Sequence, residues 1–222
     1  MKTTAFKLFS AFYILFFGSL LYVVISTTQA GLHVALTLDY LSECSADFVA
    51  FQDVFFKYIT ELGSWIPFVV AAGLLFYRAG ASLFVLVSQL ALGIVTHIIK
   101  VTVAAPRPKL FFGNNFPNVA LHRVEGVVVH STNSFPSGHT AAVFSLMLCL
   151  TLIFNKKPQL TPIFFILAVL AAYSRIYLSQ HFAEDVLAGS LVGVLITLLV
   201  YYFYQRKPYA WGKKSVLELL KI

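Results

Sequence analysis

Residues 136–154 read PSGHTAAVFSLMLCLTLIF: proline, serine, glycine and histidine lead straight into an uncharged apolar run. The same pattern, a polar cluster set on the end of a greasy block, occurs twice more. The block 81–99 ends on Lys100, with Arg107-Pro108 following. The block 162–178 carries Ser174-Arg175 near its end, and His181 and Asp185 lead into the block 185–204. Backbone groups in hydrocarbon must be satisfied within their own segment, so apolar blocks of this length are read as helices, not strands.

Working outward, six such segments stand out: Leu8–Ser26, Leu62–Tyr77, Ala81–Ile99, Gly138–Phe154, Pro162–Leu178 and Asp185–Tyr204. The expected fold is all-α, a six-transmembrane-helix bundle forming a single membrane domain over residues 1–222. Of the 222 residues, 59% are hydrophobic and 11% charged, against about 25% charged in soluble domains, which argues against a water-soluble globule. The formal charge of +7 is scattered over the ends of apolar blocks, not gathered on a polar face, so no nucleic-acid partner is expected. No protein partner is expected either. Cys44 and Cys149 give no disulfide framework; Cys149 is expected within a helix, Cys44 in a loop, and no bridge between them.

Lysine and arginine in short loops stay cytoplasmic. Lys2 and Lys7 therefore place the N-terminus inside, and six crossings put Arg78, Lys156-Lys157 and the basic tail 205–222 (Arg206, Lys207, Lys213, Lys214, Lys221) there too. The tail, with Trp211, is expected on the inner leaflet surface. Thr28-Gln29-Ala30 also resembles a signal-peptide cleavage site, but the first apolar core is longer than such segments usually are, and an uncleaved helix is expected. The connection 100–136 breaks the charge rule: it lies outside by count yet holds Arg107, Lys109 and Arg123. In this topology all three polar clusters meet on the outer face.

Their chemistry suits a phosphate. Pro136 cannot extend a helix backwards and Ser137 is a favoured N-cap, so the amides of Gly138 and His139 are free to face an anion at a helix start. His181 and Asp185, four apart, share a face; a carboxylate on one ring nitrogen sets the tautomer and leaves the other as the nucleophile. Lys100, Arg107 and Arg175 add fixed positive charge, and carboxylates are too sparse for a magnesium cage. Taken singly, each feature has a plainer reading: Lys100 as an anchor at a helix end, Arg107-Pro108 as loop, His139 as a cap, His181 and Asp185 as a structural pair. Their joint occurrence, in order, on one face favours catalysis.

Lys100-x6-Arg107-Pro108, Pro136-Ser137-Gly138-His139 and Ser174-Arg175-x5-His181-x3-Asp185 together resemble the three-part signature of the type 2 phosphatidic acid phosphatase (PAP2) family, which shares its site with vanadium haloperoxidases. The resemblance spans roughly residues 60 to 204 and departs at no signature position. It implies a helical membrane core, metal-independent hydrolysis without a cofactor, and a phosphohistidine intermediate. It also implies roles: His181 as nucleophile, Asp185 as its orienter, His139 as general acid and then base, and Lys100, Arg107, Arg175, Ser137 and Gly138 as the phosphate cradle.

The expected protein is a multi-pass enzyme of the bacterial inner membrane. It removes a phosphate from a lipid at the periplasmic face: lipid A in the first place, otherwise undecaprenyl diphosphate or phosphatidylglycerol phosphate. A lipid-to-lipid phosphotransferase using the same intermediate is the alternative; a non-catalytic transporter or scaffold explains neither His139 nor the His181/Asp185 spacing. His97 is expected in the core. His122, Arg123, Glu125 and His130, with Phe111, Phe112 and Phe116, either contact a head group or tie the outer loop down.

Overall fold

The computed structural model describes residues 3–206 and 210–221. Lys2 and Lys207, used above for orientation, lie outside them. Among the described residues there is no strand, and helices account for each of the six apolar segments.

Helix α1, Thr4–Ser26, opens on Thr3, whose hydroxyl accepts the Phe6 amide at 3.3 Å. Beyond Lys7 it is predominantly apolar, yet it buries only Ala5 and Phe9, as suits a helix bathed in lipid on most sides. Phe9, Phe12 and Phe16 hold it to the bundle through ring contacts with Phe165.

The connection after α1 is helical where a loop was expected. Helix α2, Gln29–Val34, is capped by Thr28 and runs through a π-helical turn, Ala35–Asp39, into α3, Tyr40–Ser42. Helix α4, Ala46–Ile59, has Ser45 as its N-cap, Asp47 in its first turn and Lys57 in its last, each placed to favour the helix dipole. A 3-10 turn, Thr60–Gly63, then leads to α5, Ile66–Leu75. The second apolar segment thus starts later than Leu62. Pro67, tolerated only in a first helical turn, stops α5 from extending back through Ser64, and the α4 and α5 axes bend by 53°.

Four helical stretches are long and apolar enough to cross a membrane, or five if the bent pair counts as one span. The others are α6, Ala79–Val103, running on to α7, Pro108–Asn115; α9, Thr161–Tyr177, with its 3-10 lead-in; and α10, Ala183–Arg206. Helix α8, Gly138–Ile153, is shorter, with 16 residues, and is the centre of the bundle. It packs against α6, α9 and α10, and all its residues from Thr140 to Cys149 are buried. Glycines set the closest approach. A methyl at Gly193 would stand 2.3 Å from the Ala141 carbonyl oxygen, and one at Gly189 would stand 2.4 Å from that of Ser137. The Gly189-x3-Gly193 pair therefore lets the α10 backbone lie on α8, as small residues do between membrane helices. A polar seam fixes the register: Gln89 donates to the Ala142 carbonyl at 3.3 Å, and Thr197 donates to Ser145 at 2.7 Å.

The buried face of α6 runs through Val85, Gln89, Leu92 and Thr96, and Lys100 continues the row one turn on. His97 sits about 100° round the helix from Thr96 and is exposed, not in the core as expected. Cys149 is buried in α8, Cys44 lies at the bend after α3, and both thiols are free. The tail folds back on the start of α6: the Ala79 amide donates to the Lys214 carbonyl at 2.9 Å before the short α11, Val216–Leu220.

Candidate active site

The third polar cluster occupies the sharp turn between α9 and α10. Ser179, at φ 51°, reverses the chain, and the amides of Gln180 and His181 both donate to the Arg175 carbonyl at 3.0 Å. Asp185 is the third residue of α10. Its carboxylate reaches back to the Phe182 amide at 2.9 Å, half of a capping box. The same oxygen, Oδ2, lies 3.3 Å from His181 Nδ1 and accepts the Ser134 hydroxyl at 2.5 Å. His181 thus lies in the turn just before the helix, not on it, and still meets Asp185. Both are almost wholly buried, at 1% and 2% exposure. Burial, then the charges of Arg175, Arg107 and Lys100, hold the His181 imidazole well below its usual value of 6.5, so it stays neutral.

The second cluster is locked to the third through backbone. The Ser137 amide donates to the Asp185 carbonyl at 2.9 Å, in the space that Gly189 leaves open. Ser137 caps α8 as expected, accepting from the Thr140 amide at 3.4 Å and the Thr140 hydroxyl at 2.9 Å. Its hydroxyl is therefore engaged in the cap, and the Gly138 and His139 amides remain in the first turn. Gly138 faces Lys100: a methyl there would meet the lysine Cε at 3.8 Å, an ordinary contact. His139, half-buried, lies within electrostatic reach of Arg175, His181, Arg107 and Lys100.

The three cations come from three elements. Lys100 Nζ donates to the carbonyls of Asn133 and Ser134 at 2.7 and 3.3 Å. Arg107, the N-cap of α7, donates through Nε to the Thr132 carbonyl at 2.9 Å and through Nη1 to the Gln180 side-chain oxygen at 3.0 Å. Both thereby pin the 132–134 segment over the His181 turn. Arg175, 7% exposed, donates through Nη1 to the Thr60 hydroxyl at 2.7 Å, while its Nε is buried without a partner. Among the described residues none of the three cations forms an ion pair. The nearby carboxylate, Asp185, is already taken by Ser134, His181 and the Phe182 amide. Nor do three or more His, Cys, Asp or Glu side chains gather here or elsewhere in the described residues as a metal site. The donor set is cationic and suits an anion.

The family model of the PAP2 superfamily matches residues 81–209, more than half of the chain. The chain belongs to the PAP2 superfamily. It is 28% identical over 165 residues to lipid phosphate phosphatase 2 of Arabidopsis thaliana, covering 63% of this chain and 57% of that protein. It is 40% identical over 74 residues to the lipid A 4'-phosphatase of Porphyromonas gingivalis, covering 32% of this chain and 31% of that one. The chain spans about half the length of the curated relatives it matches. Among solved structures, the transmembrane PAP2-type phosphatidylglycerolphosphate phosphatase of Bacillus subtilis superposes with a TM-score of 0.62 at 23% identity, over 90% of this chain and 98% of that one. This PAP2 chain is a multi-pass membrane protein.

Other residues of this PAP2 site were not singled out in the sequence. Ser134 and Gln180 look like ordinary polar residues in loops; only the fold sets them on Asp185 and Arg107. Thr60 meets Arg175 across 115 positions of sequence, and nothing local foretells it. His33, in α2, lies between Phe112 and Phe182 with ring centroids 5.5 and 5.4 Å away. The outer-loop residues divide. His122 is tied down by Asp53 at 2.7 Å, an oxygen that also accepts from Tyr177 at 2.6 Å. The Glu125 carbonyl accepts Lys57 at 2.8 Å. Phe112 is buried, while Arg123 and His130 are exposed.

Proposed function

We propose that this chain hydrolyses a phosphate monoester from a membrane lipid through a phosphohistidine. The observation that carries the reading is Arg175: a buried guanidinium with one neutral partner, an unpaired Nε and no carboxylate bonded to it, beside two further unpaired cations and two histidines. A buried charge without a counter-ion is costly, and a phosphate at this position supplies one.

In this reading the Asp185 carboxylate accepts a hydrogen bond from the Nδ1–H of His181, so the Nε2 lone pair is the one that attacks phosphorus. The bond from phosphorus to the lipid oxygen breaks, and His139 donates its proton to that oxygen. Water then attacks the phosphohistidine, His139 takes its proton, the P–N bond breaks, and inorganic phosphate leaves. Lys100, Arg107 and Arg175, with the amides of Gly138 and His139, hold the equatorial oxygens as charge develops there; such positioning and charge stabilisation supply most of the catalysis in phosphoryl transfer. Ser137 contributes chiefly by capping α8 and aiming those amides.

The substrate favoured is a lipid A phosphate, at the periplasmic face of the inner membrane. The likeness to a lipid A 4'-phosphatase supports this choice. Undecaprenyl diphosphate and phosphatidylglycerol phosphate are the competing substrates, and transfer to a second lipid is the competing reaction. The test is phosphate release from each lipid by purified protein in mixed micelles, with and without an acceptor lipid. Release from lipid A with no acceptor, lost in His181→Ala and retained in EDTA, is expected. Release that requires an acceptor identifies a phosphotransferase, and loss in EDTA restored by magnesium overturns the metal-free mechanism.

A further inference from the structure

Of the three cations that the 100–136 connection holds against the charge-sorting bias, Arg107 is absorbed by the site above. The other two, Lys109 and Arg123, line one cavity of about 460 Å³ together with Phe112, His122, Val129 and Ser179. We infer that this cavity is a second anion subsite, which takes a second phosphate carried by the same lipid head group. The inference rests on the phosphatase reading and specifies the class of its substrate.

Charge supports the assignment. No aspartate or glutamate contributes to the cavity wall. His122 is committed to Asp53 and the Ser179 hydroxyl to the His122 carbonyl, which leaves Lys109 and Arg123 as the cations of the wall. Lys109 makes only a 3.4 Å contact with the Val129 carbonyl. Both cations are exposed, and among the described residues neither is held by an ion pair. The remaining lining is largely apolar, which suits the sugar or acyl portion between two phosphates.

Position supports it as well. Ser179 is two residues from His181, and Lys109 two from Arg107, so each Cα pair is separated by no more than about 7 Å. Val129 lines the cavity, and its neighbours are tied to the candidate site: Gln180 Nε2 donates to the Val128 carbonyl at 2.8 Å, and Arg107 Nε to that of Thr132 at 2.9 Å. The cavity therefore lies within one head group of the proposed nucleophile. A head group with phosphates on separate sugar positions spans the gap.

The test uses the full-length protein in micelles with two synthetic lipids, an acylated glucosamine disaccharide bearing two phosphates and its monophosphate counterpart. Binding is measured by calorimetry, independently of turnover. The wild type is expected to bind the bisphosphate at least tenfold more tightly. Lys109→Gln/Arg123→Gln, which preserves side-chain bulk, is expected to erase that preference while binding the monophosphate within twofold of wild type. Equal wild-type affinity for the two lipids, or a double variant that keeps the preference, overturns the subsite. Phosphate release measured in parallel reports on the catalytic reading separately: wild type that binds selectively but releases nothing refutes the phosphatase and leaves the subsite standing.

Discussion

A methyl at Gly63 would stand 2.2 Å from the carbonyl oxygen of His139. The 3-10 turn after α4 therefore touches the first turn of α8 backbone to backbone. The same turn carries Thr60, which holds Arg175. One short turn thus sets both the proposed acid and a proposed phosphate clamp, and Gly63→Ala must push them apart. A displacement near 1 Å can cost about a hundredfold in rate. We expect kcat to fall by roughly that factor with KM changed less. Steady-state phosphate release checks it, and a Gly63→Ala protein with wild-type kcat shows that the contact does not position His139.

Ser134 donates to the Asp185 carboxylate from a fully buried position. A hydrogen bond to a charged group contributes about 1.5–3 kcal/mol, and each 1.36 kcal/mol is about tenfold in rate. Ser134→Ala is expected to lower kcat/KM by tenfold or more, with Ser134→Thr recovering part of it. Unchanged kinetics in Ser134→Ala remove this hydroxyl from the orientation of the His181–Asp185 pair.

The pH profile has a definite sign. His181 must be neutral to attack, and burial with Arg175, Arg107 and Lys100 lowers its proton affinity. The acid limb of kcat/KM should therefore fall below the ordinary histidine value of 6.5. Arg175 is the largest of the charge effects on His181. Arg175→Gln, although slower, is expected to shift the acid limb upward; rate profiles from pH 4 to 10 decide, and an acid limb that stays put contradicts the assignment.

His33 is 1% exposed and both its ring nitrogens lack a hydrogen-bond partner. A buried polar group left unpaired costs about 1–3 kcal/mol. His33→Leu removes that cost at the expense of ring contacts with Phe112 and Phe182, so the thermal midpoint in detergent is expected to hold or rise. A drop of several degrees shows that the imidazole contributes more than packing.

Much of the architecture could be read from the chain before folding was considered. A long uncharged block in lipid has few options but a helix, so α1, α6, α9 and α10 follow from composition. The helices α2 to α4 and α7 were not legible, because their amphipathic sequences between charged residues read as loop; their caps, Thr28, Ser45 and Arg107 before Pro108, were the signals available. His97 was misplaced because neighbouring residues on a helix face differ by about 100°, and only the packing of α6 on α8 decides which face is buried.

By itself the sequence determined the inventory of the candidate site: two histidines, three cations, a capping serine and a carboxylate, spaced so that helix ends had to carry them. Only tertiary structure decided what touches what. Spacing constrains groups within a turn or two, whereas Ser134 on Asp185, Thr60 on Arg175 and Gly63 beneath His139 are contacts between distant segments, chosen by how closely backbones can pack where a side chain is missing.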